Sequence, residues 1–174
     1  MHRFLSLLVL VLIGVSPSET PKAPFKLSVV PTFGGAGSGT IEMARDKARN
    51  FYVVLTNISG EPQPVWEAWN SWGYRAISFE MTTADGKKFV VSRAEEDFTK
   101  NAPTTFLIAP GEHQVFAIKL DKWWESHPSL PKADDLHVSL KAVYEVDLTP
   151  EATQQKVWTG RLESRTYDLT LRQW

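Results

Sequence analysis

From Leu136 onward, Leu136, Val138, Leu140, Ala142, Tyr144, Val146 and Leu148 occupy every second position. His137, Ser139, Lys141, Glu145 and Asp147 lie between them, with Val143 as the one apolar exception. Alternate side chains of a strand point to opposite faces, so this pattern predicts a long strand that buries one face and wets the other, as antiparallel sheets do. On a helix the same residues would be scattered around the axis. The same period of two recurs in Ile77, Phe79 and Met81, in Phe116, Ile118 and Leu120, and in Tyr167, Leu169 and Leu171. Phe51, Val53 and Leu55 alternate with Tyr52 and Val54, also apolar, which predicts a strand in a central position. Further strands are expected at residues 25–30, 89–92, 105–108 and 156–162.

Turn residues separate these runs. Asp85-Gly86 fits a tight hairpin, Pro110-Gly111 leads into the next strand, and Pro150 ends the long one. Gly34, Gly35, Gly37 and Gly39 read as a flexible connection between two early strands; without the Lys-Ser/Thr of a phosphate-binding loop they carry no nucleotide signal. One short helix is expected at residues 121–126, with Asp121 as its N-cap. Eight or nine short strands with turns between them predict an all-β, antiparallel sandwich or barrel, occupying residues 25–174 as a single domain.

The N-terminus adds a segment outside that domain. His2 and Arg3 precede a twelve-residue apolar run at residues 4–15, and Ser16 and Ser18 supply the small residues of a cleavage site. Residues 1–18 therefore read as a signal peptide and residues 19–24, with two prolines, as a flexible lead-in. The apolar run is shorter than the roughly 20 residues of a membrane span, so no span is expected after cleavage. The 174-residue chain has no cysteine and a net charge of −1. Loss of the leader, with Arg3, makes it one unit more negative, which gives no electrostatic case for nucleic acid as a partner. An exported domain without disulfides fits a bacterial periplasmic or extracellular protein held by packing alone.

Several features of the middle of the chain follow one another in a familiar order. They are the strand ending Leu55-Thr56-Asn57-Ile58-Ser59-Gly60-Glu61-Pro62, the strand at 77–81, Asp85-Gly86-Lys87, Val91-Ser92-Arg93, Phe98-Thr99 and Ala109-Pro110-Gly111-Glu112. Over roughly residues 53–124 this resembles the BsuPI-type intracellular proteinase inhibitor family. The resemblance implies an immunoglobulin-like sandwich and, as one function, proteinase inhibition through an exposed loop at residues 94–103. The insertion from Trp66 to Trp72 departs from the family outline.

Candidate chemistry lies in the tryptophans, seven in the chain. Trp66, Trp69 and Trp72 stand beside Tyr74, and Trp123 adjoins Trp124. A large apolar face with one N–H donor suits sugar stacking or a protein-binding hot spot, and it equally suits packing as a plug over one end of the domain. The catalytic signals are poor. His113, His127 and His137 lack metal-ligand spacing, and His137 falls on a polar strand face. Glu95, Glu96, Asp97, Asp134 and Asp135 are loop acids without the ligand spacing of a calcium loop, and Asn57-Ile58-Ser59 is a glycosylation sequon in form only. The sequence thus reads as a non-enzymatic module with no cofactor or metal, whose partner is a protein or a glycan. Its envelope role is either binding or structural. The exported product is expected to begin at Glu19 by intact-mass measurement; a product beginning at Met1 would contradict the leader.

Overall fold

The computed structural model describes residues 23–35, 38–43, 50–99 and 101–172. The expected signal peptide and residues 19–22 of the lead-in lie outside the described residues. The chain is all-β with antiparallel sheets, apart from one parallel pair. Its elements are β1 (Phe25–Val30), β2 (Phe33–Gly35), β3 (Ser38–Glu42), β4 (Phe51–Asn57), β5 (Gln63–Trp66), α1 (Ser71–Tyr74), β6 (Ile77–Thr83), β7 (Lys88–Arg93), β8 (Thr105–Ile108), β9 (His113–Ile118), β10 (Trp124–His127), β11 (Asp135–Val146), α2 (Pro150–Gln155), β12 (Gly160–Glu163) and β13 (Tyr167–Arg172).

β11 is the strand announced by the C-terminal alternation. Its buried face carries Val138, Leu140, Ala142, Tyr144 and Val146. It pairs with β6 along one edge, and along the other with β13 at its start and β12 at its end. Between β12 and β13 the strand pairing breaks at Ser164, which keeps both hydrogen bonds with Ala142. Its N–H donates to the Ala142 carbonyl at 2.9 Å, and its Oγ accepts the Ala142 N–H at 2.9 Å. A hydroxyl thus replaces a missing backbone acceptor, so the buried edge of β11 is satisfied throughout this break. The eight-stranded sheet runs β10-β7-β6-β11-β13-β3-β2, with β12 beside β11 and β3 parallel to β13.

A three-stranded sheet, β1-β4-β9, faces it across one core. Phe25, Leu27 and Val29 from β1 and Phe51, Val53 and Leu55 from β4 are buried there. Rings meet between the layers: Phe51 lies 5.4 Å from Phe79, and Phe25 packs edge-on to Tyr144 at 6.5 Å. Trp158 stacks on Tyr144 at 6.3 Å and closes that end. β4 is indeed the middle strand of its sheet. Its second apolar set is not covered, however: Tyr52 lies among the exposed residues beside Val30 and Val115, because no element among the described residues packs on that face.

The structure corrects several expectations. There are thirteen strands among the described residues, not eight or nine. The helix expected at 121–126 is a turn followed by β10. Asp121 caps the turn, accepting the Trp123 N–H at 3.1 Å, but Trp124–His127 then pairs with β7, whose open edge offers more hydrogen bonds than an isolated turn of helix. The two short helices lie elsewhere. α2 ends just before the strand expected at 156–162, which starts only at Gly160 as β12; its N-terminus is built by Thr149 as cap, Pro150 and Glu151. Gly34, Gly35 and Gly39 are strand rather than loop, since Gly34 pairs with Gly39 and Gly35 with Ser38. A Cβ on Gly39 would stand 2.4 Å from Pro31 Cγ and 2.9 Å from Leu169 Cδ2, so the close approach itself selects glycine.

Two expected turns form as read. Asp85-Gly86 joins β6 to β7 with Gly86 at φ 82°, and Lys87 and Thr83 hold the Asp85 carboxyl down to about 2. At Pro110-Gly111 the loop docks on Asn57, whose side chain is fully buried. Its amide donates to the carbonyls of Glu61 at 2.7 Å and Ile108 at 2.8 Å, and its Oδ1 accepts from the Ser59 N–H at 2.9 Å. Removing this side chain orphans buried groups in two loops at once. Asn57→Ala is expected to cost about 2–4 kcal/mol in urea unfolding, and a loss under about 0.5 kcal/mol, the level of an ordinary surface change, would contradict this role.

Candidate aromatic and arginine site

The segment that carries Trp66, Trp69, Trp72 and Tyr74 folds tightly on itself. Asn70 caps α1 by accepting the Gly73 N–H at 2.9 Å, while its amide donates to the Thr104 carbonyl at 2.9 Å. A Cβ on Gly73 would meet the Glu67 carbonyl oxygen at 2.3 Å, so only glycine allows this turn. Ser71 N–H donates to Asn101 Oδ1 at 3.1 Å, and Arg75 lies 3.8 Å from Glu95. Residues 66–75 are thereby bound to the loop at 94–104.

The three tryptophans expected to act together take different roles. Trp66 ends β5 and is only 2% exposed, in the core. Trp72 packs on it at 5.7 Å with a 31° tilt and is partly exposed. Trp69 turns outward, 57% exposed. Spacing by three would align them on one helix face, but only residues 71–74 are helical, so the period does not apply. Trp72 also reaches toward α2. The Glu151 carboxyl is held below the usual range first by its own backbone N–H, then by Thr149, with Trp72 adding a smaller effect.

Arg93, which the sequence did not single out, joins the two aromatic groups. Its guanidinium carbon lies 5.3 Å from the Tyr74 ring centre and 4.7 Å from that of Trp124. Phe98 stands edge-on to Tyr74 at 5.4 Å, and Trp124 leans on Phe79 of the core at 5.5 Å. Burial and a hydrogen bond to Glu96 push the Tyr74 hydroxyl above its ordinary value of 10.0, with Arg93 opposing. The Trp124 indole N–H is buried without a hydrogen-bond partner among the described residues. Trp123 faces outward, 46% exposed, with Lys122 4.8 Å above its ring. Ala94 N–H donates to the Trp123 carbonyl at 2.9 Å and ties this turn to the end of β7. The structure therefore brings Tyr74 and Trp124 together through Arg93, pairs Trp66 with Trp72, and leaves Trp69 and Trp123 as separate exposed rings. Arg93 ends an alternating strand, and a cation there opposite Trp124 in the β7–β10 register is a signal that only the pairing makes visible.

The other candidate residues are surface groups. His137 meets the Thr170 hydroxyl at 3.0 Å, and His127 lies 3.5 Å from Glu125. Asp135 pairs with Arg172 at 3.0 Å. The Asn57 sequon sits on a buried amide, which a folded chain does not offer for modification. Among the described residues no group of three or more His, Asp or Glu side chains is placed to hold a metal ion, and no helix is long and apolar enough to cross a membrane. No family model and no curated protein matches this chain.

Removal of the Arg93 guanidinium leaves two aromatic rings without their shared cation. Arg93→Ala is expected to lower unfolding stability by about 1–2 kcal/mol and to change the intrinsic fluorescence of Trp124. An unchanged spectrum and stability would show that the cation does not hold the rings.

Proposed function

We propose that the chain is an exported, non-enzymatic immunoglobulin-like module that binds a protein partner through this aromatic and arginine surface. The observation that carries the reading is Arg93 between Tyr74 and Trp124, with the exposed Trp123 one residue away along the turn. Tryptophan, tyrosine and arginine are the residues enriched at the energetic centres of protein interfaces, where rigid rings give contact area at small entropic cost. A sugar platform wants exposed rings in one plane. Trp66 and Trp72 come nearest to that geometry, but Trp66 is in the core, so the protein reading is favoured over the glycan one.

The immunoglobulin-like part of the proposal is supported by strand order. β1, β4 and β9 take the places of strands A, B and E, and β7, β6, β11 and β13 those of C′, C, F and G. Between β1 and β3 the chain crosses from the small sheet to the far edge of the large one, where β3 lies parallel to the last strand. The resemblance to BsuPI-type inhibitors spans β4 to the first residue of β10 and agrees with that assignment. The inhibitory function is less favoured, because Phe98 of the 94–103 loop is turned onto Tyr74 instead of projecting as an anchor. Export rests on the leader pattern at residues 1–18.

The test is capture from envelope extract of the source cells by immobilised protein, with a glycan array run in parallel. The double variant Trp69→Ala/Trp123→Ala is expected to fold normally by circular dichroism and to lose about tenfold or more of the specific capture, as loss of hot-spot rings does. Undiminished capture would overturn the site. Array binding that disappears in the double variant would replace the protein partner with a glycan.

A further inference from the structure

The small sheet has a second feature with recognition chemistry. β1 is its outer strand, and among the described residues no strand pairs with its far side. The register decides which backbone groups face that side. Ile58 N–H donates to the Pro24 carbonyl at 2.8 Å, so the β1 residues bonded to β4 are Lys26, Ser28 and Val30. In an antiparallel pair the residues between them turn their N–H and C=O groups outward. These are Phe25, Leu27 and Val29. The Val29 N–H follows this geometry and donates to the Tyr167 hydroxyl at 3.0 Å.

Beside Phe25 and Leu27 the edge opens into a groove rather than onto another strand. Its far wall is formed by Leu162, Glu163, Arg165 and Tyr167, where β12 bends into β13, and Ile58, opposite Pro24 on the β4 side, also lines it. Tyr167 closes the groove at the Val29 end. Ile58 is half-exposed and Leu162 partly so, and they supply apolar contact. The charges are unequal. Glu163 is engaged by Lys141 at 2.8 Å and Arg161 at 3.2 Å. Arg165 lies with its guanidinium carbon 4.5 Å from the Tyr167 ring centre, and neither it nor Lys26 has an acidic partner among the described residues.

We propose that this groove accepts an extended segment of a partner protein, which adds as a strand to the β1 edge and places an acidic side chain against Arg165. The outward N–H and C=O groups of Phe25 and Leu27 recognise another backbone, and side chains at alternate positions of the incoming segment supply selectivity. The site is separate from the aromatic surface, so the two proposals stand or fall independently.

Amide exchange followed by NMR on the full chain tests the edge first. Leu27 N–H is expected to exchange at least about tenfold faster than Ser28 N–H, and Tyr167→Phe is expected to speed exchange at Val29 alone. A slow Leu27 amide in the free protein would overturn the open edge. A random linear octapeptide library displayed on phage then serves as the probe. Enriched peptides are expected to alternate apolar residues around one acid, to slow Leu27 exchange, and to lose about tenfold or more in affinity when their alternate amides are N-methylated. Arg165→Ala is expected to weaken a Glu-containing peptide several-fold more than its Gln counterpart. Failure to enrich any peptide, or enriched peptides that leave Leu27 exchange unchanged, would overturn the proposal; among the latter, peptides lost on Trp69→Ala/Trp123→Ala would belong to the aromatic surface alone.

Discussion

Two β layers with no cysteine between them can be joined only by what their inward side chains do to one another, and β11 is where that joining is concentrated. Its alternate residues Val138, Leu140, Ala142 and Tyr144 lie in the core, while its backbone is paired along both edges with β6, β12 and β13. A strand paired on both sides cannot slip by one residue without sending a whole apolar set to solvent. The positions of Phe79, Leu169 and Leu171 beside it follow from that register, and the small sheet closes over them through Phe51 and Phe25. With no cysteine in the chain, aromatic contacts between the layers help to join them. They stabilise the folded state by burial rather than by restricting the unfolded chain.

The same strand shows how burial and wetting coexist. Val143 points away from the core yet is fully buried, flanked by Lys141, Glu145, Glu80, Arg161 and Glu163. Arg161 reaches Glu80 at 2.8 Å, Glu145 at 3.1 Å and Glu163 at 3.2 Å, and the aliphatic stems of such side chains can cover an apolar residue while their charges stay in water. Each exposed pair contributes little by itself. Their joint effect is to occupy the outer face of the large sheet with satisfied charges. Among the described residues the small sheet has no such network, and its outer face carries Val30, Tyr52 and Val115 instead.

The aromatic region depends on tertiary contacts of a different kind. Asn70, Ser71, Tyr74 and Arg75 each hold a partner in the loop at 94–104, and Arg93 connects that assembly to Trp124. The chain builds the region from three segments, none of which carries a recognisable motif alone. Glycine at position 73 and asparagine at position 70 are the local requirements; the rest is proximity.

Legibility followed the range of the interactions. Strands β1, β4, β6, β7, β9, β11 and β13 were readable because period-two burial is written into consecutive residues, β8 as a short apolar run, and the turns at Gly86 and Gly111 because a positive φ selects glycine locally. α2 was missed although its start signal in Thr149, Pro150 and Glu151 is local, because Pro150 reads equally as the end of the preceding strand. β10 was not legible, since Trp124–His127 is a strand only because β7 offers an unpaired edge. The glycines of β2 and β3 looked like loop because their pairing depends on β13 and Pro31, distant in sequence. Among the six aromatic residues, type and clustering were visible in the chain, but the division into Trp66 inside and Trp69 and Trp123 outside was not. Local sequence alone was enough for an all-β, cysteine-free chain with six of its aromatic residues gathered in two short stretches. Only the tertiary structure decided which rings meet, because ring exposure and the place of Arg93 are set by partners that come from other strands.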